Sequence, residues 1–303
     1  MSARNMLIIG AGFLGRAIAL RLTRDGQGVT VLSPSVDANA WPSGITAVRG
    51  RQEDEALLGE LLDRHDTVIH AAWGTTPGFS AGRPALEAEK GLSPFLAFMA
   101  TLQRFPETRM LFLSSGGTVY GDPTDLPVPE SAPLRPLSCY GAGKAAAELF
   151  LGLRAPIKTL IVRPANIYGP EQPLRSGFGV VRHLLRCAKE KTQFLLWGDG
   201  RQVRDYLFID DFTEAIFQFT VRPDLHGVFN LGSGEGTTLR ELIGQIEAVT
   251  CRSIHIDAQP ARSADVARIV LDITRICKST EWLPAVGLKD GIARMHRWLD
   301  GTA

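Results

Sequence analysis

Met6-Leu7-Ile8-Ile9-Gly10-Ala11-Gly12-Phe13-Leu14-Gly15 is the stretch that decides the fold. Its four leading apolar residues read as a buried parallel strand, covered on both faces. They run straight into Gly-x-Gly-x-x-Gly, and the spacing of Ala17, Ile18, Leu20 and Leu22 continues the chain as a helix. Strand, glycine turn and helix in that order place backbone N–H groups and the positive end of a helix dipole against a pyrophosphate. Gly10, Gly12 and Gly15 form the turn. Phe13 and Leu14 supply the first helical N–H groups, and Arg16 adds a positive charge. A plain strand-to-helix turn can carry a glycine or two, but the correct flanks on both sides make this a dinucleotide site.

Further strands follow. Val29-Thr30-Val31-Leu32 is the second, and the acidic residue that commonly binds the adenosine ribose after such a strand is missing: Ser33-Pro34-Ser35 stands there, with Asp37 slightly late. Without that carboxylate nothing repels a 2′-phosphate, and Arg16, Arg49 or Arg51 could pair with one. The cofactor is therefore NAD or NADP, and the choice stays open. Residues 66–72 read as another buried strand whose exit, His70-Ala71-Ala72, is small enough for a cofactor to lie close, although a lone histidine is more often structural. Residues 87–105 have helical apolar spacing. Residues 110–113 form a strand that leaves through the Ser/Thr/Gly-rich run Ser114 to Gly121.

The chemistry centres on Tyr140-Gly141-Ala142-Gly143-Lys144, which heads an alanine-rich helix. Positions four apart share a helix face, so Tyr140 and Lys144 point into one cleft. An ammonium beside a phenol lowers its pKa and makes it a competent acid/base for a sugar hydroxyl. Tyr-x-x-x-Lys alone is usually a surface contact; the order of signals around it gives it weight.

Beyond residue 165 the strand–helix alternation weakens. Residues 158–162 read as a strand, 177–189 as a helix, 194–196 as a short strand and 228–231 as another. Asp210-Asp211 are expected to cap a helix over 212–221, Thr237-Thr238 to open one over 238–249, and residues 288–299 to close the chain as an amphipathic helix; 260–265 read as a loop. The expected organisation is a dinucleotide-binding unit over residues 1–165, joined by segments from 205–232, and a smaller mixed unit over most of 166–303.

Bulk properties exclude several classes. The chain has 303 residues, 45% of them hydrophobic, with formal net charge +1 and pI about 7.7. No run of like charge points to nucleic acid. Cys139, Cys187, Cys251 and Cys277 lie too far apart for a metal or redox motif and read as reduced thiols of a cytoplasmic protein. A metal site is not expected. No segment approaches the roughly 20 apolar residues of a membrane span.

Taken together these residues resemble the extended short-chain dehydrogenase/reductase family, the NAD(P)-dependent nucleotide-sugar epimerases, dehydratases and reductases. The likeness rests on Gly10/Gly12/Gly15, residues 68–72, Ser114 to Gly121, Tyr140/Lys144, Arg163-Pro164-Ala165-Asn166-Ile167-Tyr168-Gly169-Pro170, residues 198–206, Asn230-Leu231-Gly232, and Arg262 with Asp265. It implies a Rossmann-like doubly wound parallel sheet with a smaller mixed α/β C-terminal substrate-binding domain. It also implies Tyr140 as acid/base, Lys144 on the nicotinamide ribose, and Asn166, Arg204 and Arg262 on a nucleotide diphosphate, for which an arginine fork is well shaped. A homodimer paired through the helix before the Ser114 strand and the Tyr140 helix is implied as well.

Two departures matter. Ile9 stands where many relatives have the first glycine of Gly-x-x-Gly-x-x-Gly. Gly116 stands where the usual catalytic Ser/Thr sits, three residues before Val119. On an extended exit, side chains two apart face the same way, which makes Thr118 the first substitute hydroxyl and Ser115 the second. Gly117-Thr118 replaces the acidic pair of a dehydratase, which argues against 4,6-dehydration. The leading expectation is epimerisation at C4 of a nucleotide-diphosphate hexose through a 4-keto sugar. The runner-up is NADPH-dependent reduction of a dTDP- or GDP-4-keto-6-deoxyhexose. A non-enzymatic NAD(P)-sensing protein is a third possibility, which needs neither Tyr140 nor Lys144.

Overall fold

The structure, a computed structural model, describes residues 5–153, 158–174, 178–260 and 266–301. The N-terminal motif folds as its spacing predicts. Strand β1 (Asn5–Ile9) turns through the glycines into α1 (Phe13–Arg24), and β2 (Gly28–Ser33) and β3 (Ile45–Arg49) follow. Helix α2 (Glu55–Leu62) leads to β4 (Thr67–His70). A short helix α3 (Pro84–Glu87) passes through a π-helical turn (Ala88–Leu92) into α4 (Ser93–Leu102) and then β5 (Arg109–Leu113). One helix was expected over 87–105. It starts earlier and is interrupted, because Pro94, near the start of α4, has no N–H to offer the preceding turn.

The strand exit also differs from expectation: residues 116–119 form a helical turn, α5 (Gly116–Val119), with Ser115 as its N-cap. Helix α6 (Cys139–Leu151) starts at Ser138, whose Oγ accepts the Gly141 N–H at 3.1 Å. Then come β6 (Thr159–Pro164), β7 (Asn166–Tyr168), α7 (Val180–Glu190), β8 (Gln193–Trp197), β9 (Val203–Arg204) and β10 (Tyr206–Phe208). Helix α8 (Ile209–Val221) precedes β11 (Gly227–Leu231), β12 (Thr237–Thr238), α9 (Leu239–Thr250), β13 (His255–Gln259), α10 (Thr274–Thr280) and α11 (Leu288–Leu299). Asp210 and Asp211 do not cap α8 but lie in its first turn, where their charge suits the helix dipole. The buried Asp211 instead accepts the Val286 N–H at 2.9 Å.

A seven-stranded parallel sheet runs in the order β11-β6-β5-β4-β1-β2-β3. The order reverses beside β1, as in a doubly wound fold. Alternation along β1 sends Met6 and Ile8 to one helical layer and Leu7 and Ile9 to the other. The first layer contains α1 and α8, through Ile18, Leu22, Phe212 and Ile216, and its core runs on into α9 and α11 at Leu242 and Met295; the second contains α2, α4 and α6, through Leu58, Leu62, Phe95, Phe98 and Leu151. Each fully buried side chain of this size contributes about 1.5–3 kcal/mol. Ile9 is a core residue of the last β1 position, 1% exposed, so an apolar side chain there suits the packing. The remaining strands make two-stranded pairs, β7 with β10, β9 with β12 and β8 with β13, on the side reached after β6.

Candidate active site

Parallel strands put all their C-terminal ends on one edge, and the loops of that edge carry the predicted residues. Gly10 has φ +105°, and a Cβ there would lie 2.9 Å from Ala72 Cα, so only glycine lets the two loops close up. A Cβ at Gly15 would meet the Gly10 carbonyl oxygen, which fixes how tightly α1 sits on β1. Gly12, by contrast, is exposed with nothing within 4 Å of a Cβ. It precedes the N–H groups of Phe13 and Leu14 at the uncapped start of α1. An open, donor-lined helix N-terminus beside a tight glycine turn fits the pyrophosphate of a dinucleotide.

Other expected cofactor residues divide. Ala71 and Ala72 are half-buried beside the glycine turn. Ser33 is buried at the end of β2, its Oγ 3.5 Å from that of Ser35. Arg16 is held elsewhere than expected: its Nε lies 3.1 Å from a Glu171 carboxylate oxygen, one amino group donates to the Ala40 carbonyl at 3.3 Å, and its guanidinium lies over the Trp41 ring. A carboxylate already meets the charge that a 2′-phosphate would need.

His70 is a correction. Its side chain is fully buried among Phe95, Phe98 and Phe112, with Nε2 2.7 Å from Gln52 Oε1, on the α4 side of the sheet. Burial, followed by the Lys144 charge, pushes its pKa down to about 3. Its side chain is a neutral core histidine rather than part of the open strand edge.

Tyr140 and Lys144 do share a face of α6. Lys144 is buried, and its Nζ donates to the Leu113 carbonyl at 2.7 Å where β5 ends. The ammonium lies 4.1 Å from the Trp73 ring centroid, 4.8 Å from that of Phe112 and 5.9 Å from that of Tyr140. Burial lowers its pKa to about 7, against the pull of the Glu87 and Glu148 carboxylates. Tyr140 is half-buried, its ring edge-on to Trp73 at 6.5 Å. Its proton is held more tightly than a free phenol's, first by burial and then by Glu87. The lowering that the sequence suggested from Lys144 does not offset them.

Gly116 is explained by packing. A Cβ there would lie 2.6 Å from Leu271 Cδ1 and 2.8 Å from the Arg163 carbonyl oxygen, so the chain has no room for a serine at the usual place. Because the exit is helical, the argument from extended alternation does not apply to its substitutes. Thr118 and Ser115 are both half-buried. The Thr118 hydroxyl turns back to the Ser115 carbonyl at 3.5 Å, and the Thr118 carbonyl packs on Gly141 of α6. Gly117 opens towards Asn166, whose side-chain amide would lie 3.8 Å from a Cβ there and donates to the Asp205 carbonyl at 3.0 Å. Half-buried Arg204 precedes Asp205 in the chain, and its Nη1 donates to the Val203 carbonyl at 2.9 Å. Arg262 and Asp265 lie outside the described residues.

Sequence reading missed two buried carboxylates. Glu87, 3% exposed, accepts the Trp73 indole N–H at 2.8 Å and the Thr75 hydroxyl at 2.6 Å. Glu148, two turns after Tyr140, is paired with the Arg163 guanidinium at 2.6 and 3.1 Å and takes the Ser114 hydroxyl as well. Arg163 also donates to the Tyr120 hydroxyl at 2.7 Å, and Tyr120 in turn donates to Asn230. The only signal in the sequence was the spacing: Glu148 is one helical turn beyond Lys144 on the same face.

A doubly wound fold with a Tyr/Lys pair beside its glycine turn defines an extended short-chain dehydrogenase/reductase. A sequence profile of the NAD dependent epimerase/dehydratase family matches residues 6–232. The chain belongs to that family, which is described as NAD dependent. It is 28% identical to a UDP-glucose 4-epimerase of Mycolicibacterium smegmatis over 96% of both chains. It is 32% identical to a dTDP-4-dehydro-6-deoxyglucose reductase of Escherichia coli over 94% of both. The crystal structure of Thermus thermophilus UDP-glucose 4-epimerase in complex with NAD superposes with TM-score 0.88, covering 99% of this chain and 100% of that one at 27% identity. Among the described residues no helix is long and apolar enough to cross a membrane.

Proposed function

We propose that the protein is an NAD-dependent epimerase acting at C4 of a nucleotide-diphosphate hexose, with UDP-hexose as the first substrate to try. The observation that carries this reading is the Tyr140–Lys144 pair on one face of α6, at the strand edge shared with the Gly10–Gly15 cradle. Bound NAD would accept a hydride from C4 and return it to the opposite face of the sugar. The chain's own task is to move a proton at the C4 oxygen and hold the sugar while it turns. Tyr140 takes the hydroxyl proton and gives it back. Lys144 steadies the charge on Tyr140. The glycine turn with Phe13 and Leu14 binds pyrophosphate, and Asn166, Arg204 and Arg262 take the nucleotide diphosphate. Ser115 and Thr118 are the hydroxyls nearest the position lost at Gly116. The unit over 166–303 carries the substrate side and 1–165 the cofactor side.

A second reading, one-way reduction of a 4-keto-6-deoxy sugar, is favoured by the 32% identical reductase and by the tightly held Tyr140 proton, since reduction needs a donor to the keto oxygen. Denaturing the purified protein and identifying the nucleotide released tests the ranking. Tightly held NAD together with interconversion of UDP-glucose and UDP-galactose, abolished in Tyr140→Phe, supports epimerisation. An empty protein that reduces a 4-keto sugar with NADPH overturns it.

The side chains of Leu149, Phe150 and Leu153, 72%, 43% and 79% exposed at the end of α6, support a homodimer formed through that helix. Four free cysteines fit a cytoplasmic location.

A further inference from the structure

Glu87 stands outside every motif that defines the family resemblance, yet it is the charged group built most closely into the Tyr140–Lys144 pair. Two glycines make room for it. A Cβ at Gly91, one turn along its own helical segment, would lie 2.5 Å from Glu87 Oε1 and 2.8 Å from Trp73 Nε1. A Cβ at Gly143, between Tyr140 and Lys144, would also lie 2.5 Å from Glu87 Oε1. The carboxylate is therefore seated against the backbone of α6 at the catalytic turn. Both oxygens are held, one by Trp73 and one by Thr75, from the loop after β4. Trp73 then reaches the pair itself, with its face under the Lys144 ammonium and its ring edge-on to Tyr140.

We propose that Glu87 is a positioning residue for the Tyr140–Lys144 pair: through Trp73 it fixes where both side chains lie, and its carboxylate sets a negative charge beside both. Among the described residues three titratable groups face the pair. Glu87 comes from α3 and Glu148 from α6. His70, from β4, is neutral and adds no charge. Glu87 is the one that acts on both Tyr140 and Lys144, and it favours the protonated form of each. In the resting chain the ammonium is thus balanced in a dry site, and the phenol is poised as a donor. The positive charge of a bound nicotinamide ring then works against Glu87 and eases the opposite role. This inference rests on Tyr140 being the acid/base.

The test is an ultraviolet difference titration of tyrosinate on the NAD-loaded chain, where the nicotinamide charge opposes Glu87 and brings the ionisation into a range the fold survives, with the Tyr140→Phe titration subtracted to isolate Tyr140. Glu87→Gln keeps the shape and an acceptor for Trp73 while removing the charge, and it should lower the Tyr140 ionisation by about one pH unit or more. The pH profile of kcat/KM should move the same way. Gly143→Ala displaces the carboxylate without removing it and strengthens α6, so it serves if Glu87→Gln folds poorly; it should lower the ionisation in the same direction and reduce kcat more than it raises KM. A Tyr140 titration unchanged in both folded variants overturns the proposal. Full turnover by Tyr140→Phe overturns the acid/base reading instead, a separate outcome read by a separate assay.

Discussion

Glu148→Gln should destabilise the protein far more than an ordinary glutamate substitution on a helix. Glu148 and Arg163 are 4% and 6% exposed, and their contacts at 2.6 and 3.1 Å leave no space for water between them. An amide in place of the carboxylate removes the negative charge and turns an NH2 group towards Arg163 donors. The guanidinium stays buried with its charge uncompensated, and the Ser114 hydroxyl competes for the one remaining acceptor. Breaking a buried pair from one side costs about 3–5 kcal/mol. With a urea slope of about 3 kcal/mol/M, the unfolding midpoint should fall by about 1 M or more. The double variant Glu148→Leu with Arg163→Met should recover most of the loss, since well-packed apolar replacements of such pairs are often neutral or better. Equilibrium urea unfolding followed by tryptophan fluorescence measures both. A loss below about 1 kcal/mol for Glu148→Gln, or a double variant no better than the single one, would refute the reasoning that this pair is dry and mutually dependent.

Gly116→Ser should restore the family's hydroxyl in name only: its Cβ meets Leu271 and the Arg163 carbonyl, so the melting temperature falls by several degrees and turnover does not rise, as calorimetry and a coupled UDP-glucose assay would record. His70 resists protonation down to about 3 in the folded chain but takes a proton near 6.5 when unfolded, so the unfolded state binds more protons between those values. Stability should therefore drop as pH falls through that window, by about 1.4 kcal/mol per unit at most from this group, and His70→Gln should flatten the slope in urea titrations. Lys144, lowered to about 7 from 10.5, works on the alkaline side: the unfolded chain binds the extra proton between those values, so wild type should gain on Lys144→Met as pH rises through them. Leu149→Glu with Leu153→Glu should convert a dimer to monomers in light scattering without loss of fold, because neither side chain is part of the core.

Local patterns were legible where the physics is local. The Gly10–Gly15 turn, the strands around it, the helix opened at Thr237-Thr238 and α11 are set by spacing within a few residues, and each formed at or within a residue or two of its expected place. Tyr140 and Lys144 share a face because four residues are about one helical turn. The misreadings depend on what a distant segment brings. His70 looked like part of a strand exit, but which face of β4 it occupies decides between cofactor and core, and the aromatic residues that claim it come from α4 and β5. The alternation argument for Thr118 failed because Ser115 starts a helical turn there.

Gly116 and Glu87 show most clearly why a site cannot be completed from the chain alone. A glycine at the place of a catalytic hydroxyl reads as a loss, until Leu271, from the far end of the chain, is found filling the space a side chain would need. A glutamate in a helical pattern reads as a solvated face, until Gly143 and Gly91 are found leaving a pocket for its carboxylate. Both are statements about volume, and volume is settled only when elements from different parts of the sequence meet. The same argument links the two residues. The turn that lost its hydroxyl and the helix that gained a buried charge both border Tyr140, through the Thr118–Gly141 contact and through Trp73. On the proposed reading, proton transfer at this site depends on Glu87 and Lys144 rather than on a neighbouring serine. A combined variant, Glu87→Gln with Tyr140→Phe, separates the two influences: if Glu87 acts only through Tyr140, it should be no slower than Tyr140→Phe alone.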